Sequence, residues 1–243
     1  MLFDTHLHLD LFTDPKKLIE AIEKQKIYTI AVTNLPQVFL NTQKLCEGLK
    51  YIRPALGYHP ELAHKFNNQF ELFYGLLDET RYIGEIGIDN MRKKVDDFNS
   101  QKLIFERIID ACAEKKDKIL TIHSRRAEKE VISIIGKNFP GKIILHWYSG
   151  SIRELEKAIS YGFYFSVNSA MTQSKNGINI IKNIPNNRLL IESDSPFIGV
   201  DRNSLTPYNY ITTVNEISRI LDINSKDLLN ILENNFKGIL LNK

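Results

Sequence analysis

The sequence is poor in the features that mark disulfide-rich or paired-cysteine proteins. Its 243 residues include only two cysteines, Cys46 and Cys112, which have no C-x-x-C spacing and both fall on segments with helical periodicity. Because an isolated cysteine commonly packs as a small apolar side chain, we expect both to be packed thiols. A reducing cytoplasmic location is therefore the default expectation.

The sequence also lacks long apolar runs and a strong excess of one charge. No run of about 18 apolar residues occurs, and the N-terminal MLFDTH shows neither the basic nor the apolar region of a signal peptide. We therefore expect no spanning helix and no membrane partner. The 32 Lys and Arg residues barely exceed the 29 Asp and Glu residues, which gives a formal net charge of +3. Any contact with nucleic acid must then come from a local basic patch.

What the sequence does contain is a regular alternation of strand-like and helix-like segments. Short β-branched runs predict eight strands, at 2–4, 28–33, 53–57, 82–85, 118–122, 142–145, 163–167 and 188–191. Helical periodicity predicts helices at 15–25, 37–50, 97–115, 126–137, 152–161, 175–184, 207–221 and 225–240. This alternation favours an α/β fold with parallel strands, and eight units can close into a (β/α)8 TIM barrel, which commonly occupies about 250 residues. We expect one such domain over residues 1–243, with an open doubly wound sheet as the alternative.

Residues with metal-binding side chains follow five of these predicted strands. His6 and His8 lie two residues apart and so point to the same side of an extended chain. Each position alone also has an ordinary explanation, such as a core histidine or a carboxylate that caps a turn. The C-terminal ends of parallel barrel strands meet on one face, however, and barrel active sites are built there. The joint pattern therefore predicts a metal site with the ligands His6, His8, Glu85, His123, His146 and Asp194.

Five ordered segments of the chain resemble one known family. They are DTHLHLD at 4–10, GYHP at 57–60, GEIGID at 84–89, IHSR at 122–125 and ESDSP at 192–196. Together they resemble the TatD family of metal-dependent deoxyribonucleases, and the likeness runs from Phe3 to Asn235 and Phe236. The resemblance implies a TIM barrel of the amidohydrolase-like type and an enzyme that hydrolyses ester bonds.

The resemblance also implies a site with two divalent cations, Mg²⁺, Mn²⁺ or Zn²⁺. Glu85 would bridge the two cations. One would be held by His6, His8 and Asp194, and the other by His123 and His146. Four imidazoles suit Zn²⁺ or Mn²⁺ better than Mg²⁺, which prefers oxygen ligands, although family members are often assayed with Mg²⁺. The implied activity is cleavage of DNA phosphodiester bonds by a water that both metals activate, often as a 3′→5′ exonuclease on single strands.

Further residues have expected roles in that reaction. Asp194 is expected to accept the proton of the attacking water, and Arg125 to hold phosphate oxygens with a bidentate fork. His59 is expected to contact the phosphate or the leaving group. The expected catalytic set is therefore Glu85, Asp194, His59 and Arg125, with a solvated charge as the alternative for Arg125 and a turn histidine for His59. Glu192 is expected to pair with a basic neighbour and not to bind metal.

The chain departs from the family pattern in loops around the site. It has HWYSG at 146–150, where relatives usually have HCFSG, and Trp147 and Tyr148 are either a platform for stacking a base or ordinary packing. The stretch 201–207 is longer than the Arg-Asn-x-Pro element of relatives, and Asn90 replaces an aromatic residue. These changes leave the substrate preference open. Divergent relatives of this kind include nucleases of anti-phage defence systems.

The sequence is also compatible with two other functions. One is an ester or amide hydrolase on the same barrel, for example one that acts on aminoacyl-tRNA. The other is a non-catalytic subunit of a defence assembly, although the sequence does not identify protein partners. A track of basic side chains leading to the metals would favour the nuclease, and its candidates are Arg92, Lys93, Lys94, Arg125, Arg126 and Arg202.

Overall fold

The computed structural model describes residues 2–91, 94–198 and 210–241, and within these ranges the chain forms eight strands that alternate with helices. The strands are β1 (Leu2–Leu7), β2 (Ile27–Ala31), β3 (Ile52–Pro54), β4 (Tyr82–Gly87), β5 (Ile119–His123), β6 (Lys142–His146), β7 (Tyr164–Val167) and β8 (Leu189–Ile191). The helices are α1 (Pro15–Gln25), α2 (Pro36–Leu45), α3 (Pro60–Ala63), α4 (Phe70–Gly75), α5 (Val95–Lys115), α6 (Glu128–Ile135), α7 (Ile152–Ser160), α8 (Ser169–Thr172), α9 (Lys175–Asn183), α10 (Tyr210–Leu221) and α11 (Ser225–Leu241).

All paired strands are parallel and follow one another in chain order. One sheet has the order β1-β2-β3 and the other β4-β5-β6-β7-β8. A parallel bridge between Leu56 and Ile83 joins β3 to β4. At the other seam, the Thr5 hydroxyl donates to the Ile191 carbonyl at 3.1 Å and the Asp194 N–H donates to the His6 carbonyl at 2.9 Å. The arrangement is TIM-barrel-like, as predicted, and the sequential order is not that of a doubly wound sheet, in which the order reverses at a switch point.

Local signals explain the boundaries of helices α1 and α6. Asp14 caps α1 by accepting a hydrogen bond from the Lys17 N–H at 3.2 Å, and Pro15 occupies the first turn. The helix predicted at 126–137 begins later, at Glu128, because Arg126 adopts the left-handed conformation with φ 57°. It ends at Ile135 because Gly136 takes φ 70°, a common way for a helix to stop.

The structure differs from the predicted elements at several element ends and in short helices, such as α8, that were not predicted. Helices α3 and α4, between β3 and β4, were not predicted, since they have only 4 and 6 residues and show too few turns for a periodic signal. Helix α2 ends at Leu45 instead of residue 50, ahead of Gly48 in a left-handed turn with φ 74°. The start of the helix predicted at 207–221 lies outside the described residues, and α10 is described from Tyr210.

The predicted packing of the two cysteines is confirmed. Cys46 and Cys112 are both free and buried, in two separate apolar clusters. Burial raises the pKa of each thiol to about 12, so both remain protonated at neutral pH. Among the described helices, none combines the length and apolar character that crossing a bilayer demands.

Candidate metal centre at the strand ends

The six residues predicted to bind metal lie together where the strands end. His6 is on β1 and His8 directly follows that strand. Glu85 is on β4, while His123 and His146 are the last residues of β5 and β6. Asp194 lies three residues after β8. Strands β1, β4, β5 and β6 run further than predicted, so most of these side chains are held by the strands themselves and not by loops.

Glu85 is the centre of the cluster. Its Oε1 lies 2.7 Å from His123 Nδ1 and 3.0 Å from His146 Nε2. Its Oε2 lies 3.3 Å from His8 Nε2. Gly87, two residues on, has φ 136°, and a Cβ there would lie 1.9 Å from the His123 carbonyl oxygen. Only glycine therefore lets β4 approach β5 closely enough to bring Glu85 between the histidines.

Asp194 completes a second side of the cluster. Its Oδ1 lies 3.8 Å from His6 Nε2 and 3.7 Å from His8 Nε2. Three groups of side chains offer ligand atoms within 4.8 Å of one another, and they are His6, Glu85 and His146; His6, His8 and Asp194; and His59, Glu85 and His123. All residues of the first two groups are buried, and the first and third groups share Glu85, the carboxylate that is expected to bridge two cations.

Three of the imidazoles are oriented through their second ring nitrogen. His6 Nδ1 is 2.8 Å from the Thr121 hydroxyl, and His123 Nε2 is 2.8 Å from Asp89 Oδ2. His146 Nδ1 faces Glu192 Oε1 at 3.6 Å. Such partners fix the ring and its tautomer and leave the other nitrogen free to bind a metal.

The unpaired atoms test whether these residues suit a cation. Among the described residues, the buried side-chain nitrogens without a hydrogen-bond partner are His6 Nε2, both ring nitrogens of His8, and His146 Nδ1. Of these, His6 Nε2 and His8 Nε2 face the two carboxylates of the cluster. Two imidazole nitrogens also face Glu85 Oε1 at 2.7 and 3.0 Å, where lone pairs would repel unless a proton or a cation lies between them. Neutral imidazoles with two carboxylates are donors that Zn²⁺ and Mn²⁺ accept. The side chains therefore fit divalent cations.

The pKa values of the two carboxylates of the cluster are shifted in opposite directions. Burial by itself would raise the pKa of Glu85, but the electrostatic interaction with His59 and hydrogen bonds with His123 and His146 hold it well below the usual range. Burial raises the pKa of Asp194 to about 7. Burial also lowers the pKa of His6 well below its ordinary value, so this imidazole is neutral at neutral pH. Glu85 thus stays ionised, while Asp194 can take up a proton.

His59 lies beside the cluster as the residue before α3. Its Nδ1 accepts a hydrogen bond from the Glu61 N–H at 3.2 Å, and its Nε2 lies 3.5 Å from Glu85 Oε2. Burial lowers the pKa of His59 to about 4, so the ring is neutral at neutral pH. A neutral ring whose Nδ1 accepts must carry its proton on Nε2, which makes that nitrogen a hydrogen-bond donor instead of a free metal ligand.

A cavity of about 520 Å³ opens onto the cluster. Its lining includes His8, His59, Glu85, His123, His146 and Asp194, together with the exposed side chain of Arg125. Lys94 and Arg126 are exposed but are not among the lining residues. The other candidates for a basic track, Arg92, Lys93 and Arg202, lie outside the described residues, as does the departing stretch 201–207.

The sequence analysis did not predict that Asp89 orients a histidine of the site, and it predicted the contacts of Glu192 only in part. Asp89, in the motif that also contains Glu85, orients His123. Glu192 accepts hydrogen bonds from Asn168 Nδ2 at 2.9 Å, from the Trp147 N–H at 3.1 Å and from the Ser166 hydroxyl. Glu192 does pair with a basic neighbour, and that neighbour is His146.

The sequence left open whether the aromatic residues 147 and 148 form a platform for a base or pack in the ordinary way, and the two residues differ in this respect. Tyr148 is 1 % exposed, stacks edge-on against Phe165 and donates its hydroxyl to the Ser151 carbonyl at 2.8 Å. Tyr148 is therefore ordinary packing. Trp147 is 37 % exposed and lines the cavity.

Comparisons with known proteins agree on one family. The model of the family described as TatD related DNase matches residues 3–241. A Bacillus subtilis protein named as an uncharacterized metal-dependent hydrolase, YabD, is 30% identical over 90% of this chain and 87% of its own length. The human deoxyribonuclease TATDN3 is 22% identical over 96% of this chain and 92% of its own length. The crystal structure of YJJV, a TatD homologue from Escherichia coli, covers 98% of this chain and 97% of its own with a TM-score of 0.84, and at 20% identity that likeness supports the fold alone.

Proposed function

The chain belongs to the family of TatD-related DNases, and from that premise we propose that it is a deoxyribonuclease that removes nucleotides from single-stranded DNA in the 3′→5′ direction. At the coarser level it is a metal-dependent hydrolase that acts on ester bonds. The observation that carries the proposal is that the unpaired nitrogens His6 Nε2 and His8 Nε2 both face Glu85 and Asp194, in a cluster that opens onto a cavity.

Two divalent cations are proposed to occupy this cluster. Glu85 would bridge them. His6, His8 and Asp194 would hold one, and His123 and His146 the other. When bound, such cations lower the pKa of water and neutralise charge on a phosphate. Thr121, Asp89 and Glu192 keep the ligand imidazoles in place, because each faces the ring nitrogen that does not point at the cluster.

Asp194 is proposed to accept the proton that the attacking water loses. Burial raises its pKa to about 7, so proton uptake by this carboxylate costs little free energy near neutral pH. Glu85 cannot share the task, because its electrostatic interaction with His59 and its hydrogen bonds with the other histidines hold its pKa well below the usual range. The two carboxylates thus divide into a permanent anion and a proton acceptor.

His59 and Arg125 are proposed to bind the phosphate from the open side. The Nε2–H of neutral His59 points into the cavity region beside Glu85, where it can donate to a phosphate oxygen. The exposed guanidinium of Arg125 lines the same cavity, and its planar fork suits two phosphate oxygens. Both residues bind and orient the substrate and neither transfers a proton in this scheme.

The test combines metal analysis with cleavage of labelled oligonucleotides. The purified protein should contain a divalent metal, and it should shorten a 5′-labelled single strand stepwise from its 3′ end with Mg²⁺, Mn²⁺ or Zn²⁺. EDTA and His123→Ala should each abolish cleavage, while His64→Ala, an exposed histidine outside the cavity lining, should leave it unchanged.

The alternatives predict different results in this assay and in a parallel assay with aminoacyl-tRNA as the substrate. An enzyme that hydrolyses aminoacyl-tRNA esters and leaves DNA intact would be the ester hydrolase. A protein with neither metal nor cleavage under any divalent ion would contradict the nuclease and favour the non-catalytic subunit. Shortening from the 5′ end would correct the proposed polarity alone.

A further inference from the structure

The cavity has two exposed aromatic side chains that the proposed chemistry does not use. Trp147 is 37 % exposed and Phe197 is 56 % exposed, and both line the cavity above the metal cluster. The remaining exposed large apolar side chains among the described residues, such as Tyr74 and Leu103, do not line it. We call Trp147 and Phe197 the aromatic rim.

Trp147 is held in place by its backbone. It directly follows the proposed ligand His146 and adopts the left-handed conformation with φ 39°, which is uncommon for a bulky residue. Its N–H donates to Glu192 at 3.1 Å, and the carboxylate of Glu192 is fixed in turn by Ser166 and Asn168. The buried network that orients His146 therefore also fixes where the indole projects.

Phe197 is held by a turn that starts at another proposed ligand. Its N–H donates to the Asp194 carbonyl at 2.9 Å. Its ring lies edge-on to His8, with the two ring centroids 5.1 Å apart and the planes at 90°. Both members of the rim thus lie within three residues of a proposed metal ligand, so a base that rests on them would lie beside the cluster.

We propose that the aromatic rim stacks the base of the nucleotide that is being removed. This inference rests on the proposed nuclease function and adds to it the subsite that would hold the unpaired terminal base. Aromatic side chains bind bases of any sequence because every base has a π-face. A base inside a duplex has both faces covered by its neighbours, so only a single-stranded or frayed end can engage the rim.

The chemistry of the rim separates it from the phosphate-binding residues. Arg125 and His59 bind charge and would hold any phosphodiester, with or without a base. Trp147 and Phe197 offer only ring surface and would distinguish a nucleotide from an abasic sugar phosphate. Their loss should therefore raise KM for normal DNA and leave abasic DNA unaffected.

The composition of the chain offers a direct readout, because Trp147 is the only tryptophan. Intrinsic fluorescence excited at the indole therefore reports the surroundings of Trp147 alone. The probe is a single-stranded deoxyadenosine oligonucleotide with phosphorothioate linkages, which slow cleavage, added to the metal-loaded protein. The matched probe is an abasic oligomer with the same number of phosphorothioates. The normal oligomer should quench the fluorescence, and the abasic oligomer should bind, as followed by a dye label, without quenching.

Kinetics of variants supply the second readout. Trp147→Leu and Phe197→Leu should each raise KM for the single-stranded oligonucleotide about tenfold, with little change in kcat, since one stacked base is worth about that factor. Trp147→Phe should restore most of the affinity. Tyr74→Leu is the matched control, because Tyr74 is 45 % exposed and does not line the cavity.

The outcomes separate this inference from the function on which it rests. Binding and cleavage of DNA without quenching, or equal quenching by both oligomers, would overturn the stacking rim and leave the nuclease standing. Equal KM values for Trp147→Leu and the wild type would do the same. A protein that neither binds nor cleaves DNA would remove the nuclease and the rim together.

Discussion

The two ends of the barrel strands differ in whether their buried polar groups have hydrogen-bond partners. At the ends where strands begin, the buried Lys118 ammonium donates to the carbonyls of Leu77 at 2.8 Å and Thr80 at 3.0 Å. The hydroxyls of Tyr28 and Tyr82 share a hydrogen bond of 2.6 Å. At the ends where strands finish, four buried histidine nitrogens in the described structure lack any such partner.

The difference separates groups that stabilise the fold from groups that serve a ligand. A satisfied hydrogen bond contributes about 0.5–1.5 kcal/mol, whereas a buried polar group without a partner costs about 1–3 kcal/mol. The strand beginnings therefore stabilise the barrel on their own. At the finishing ends, His6 Nε2 and His8 Nε2 face Glu85 and Asp194, and a bound cation would give these two nitrogens the partner that they lack. Substitutions at the two ends should then change different quantities.

The largest effect is expected from Glu85→Gln. The amide keeps the shape of the side chain but removes the charge between His123 and His146, so cleavage of single-stranded DNA should fall by about 10³-fold, the upper end for loss of one electrostatic group. Stability of the metal-free protein should change little. Steady-state kinetics and thermal melts measure the two quantities. Glu71→Gln, at an exposed glutamate, is the control, and wild-type activity in Glu85→Gln would refute the central role of this carboxylate.

Metal removal should lower the Tm of the wild type, and it should lower the Tm of a variant that lacks one of the proposed ligands much less. A cation at about 1,000 times its Kd stabilises the fold by about 4 kcal/mol, so EDTA should lower Tm by many degrees. In His8→Ala, which removes a ring facing both Glu85 and Asp194, the Tm should no longer respond fully to added Mn²⁺ or Zn²⁺. An unchanged metal response in His8→Ala would show that this histidine is not a ligand.

The sequence predicted the residues at the C-terminal ends of the strands better than those at the beginnings. The positions of His123 and His146 were predictable because a titratable side chain directly after an apolar run is unusual, and those of His6 and His8 because two residues so spaced point to the same side of an extended chain. Their closeness follows from parallel strand geometry alone. The structure brings these side chains together, while their individual roles stay predictions.

The partners that orient the site could not be read from local patterns. Thr121 has the composition of any strand residue, and its contact with His6 spans 115 positions. Phe197 was not singled out because nothing in ESDSPF distinguishes an exposed ring from a packed one. Tyr148 and Trp147 are adjacent, yet one is buried and the other exposed, since the left-handed turn at Trp147 is a property of the folded loop.

At the strand beginnings, Lys118→Met should reduce stability and spare activity. Methionine fills a similar volume but leaves the carbonyls of Leu77 and Thr80 without their donor, so the free energy of unfolding should fall by about 2–3 kcal/mol. Urea denaturation measures this loss, and kcat at a temperature where the variant is folded should match the wild type. The control is Lys102→Met, at an exposed side chain. Loss of metal binding in Lys118→Met would contradict the separation of the two ends.

Glu192→Gln tests the network behind the cluster. Its carboxylate faces His146 and accepts from Trp147, so the amide should weaken metal affinity about 10- to 100-fold, the usual cost of disturbing a ligand's hydrogen-bond partner. Titration of the apoprotein with Zn²⁺ measures the affinity. The Trp147 emission should shift as well, because its N–H loses a charged acceptor. An unchanged metal affinity would mean that Glu192 serves the Trp147 loop alone.

The smallest effect is expected from Tyr82→Phe, and it measures how much one satisfied pair contributes. The change removes the hydroxyl bonded to Tyr28, whose own side chain is only partly buried and can turn to water, so the loss should be about 1 kcal/mol. Combining Tyr82→Phe with Tyr28→Phe isolates the coupling between the two hydroxyls, and Tyr74→Phe, at an exposed tyrosine, sets the background. Metal affinity should be identical in all of these variants. A change in metal affinity larger than the change in stability would show that the strand beginnings also set the geometry of the cluster, because then the two ends would not act independently.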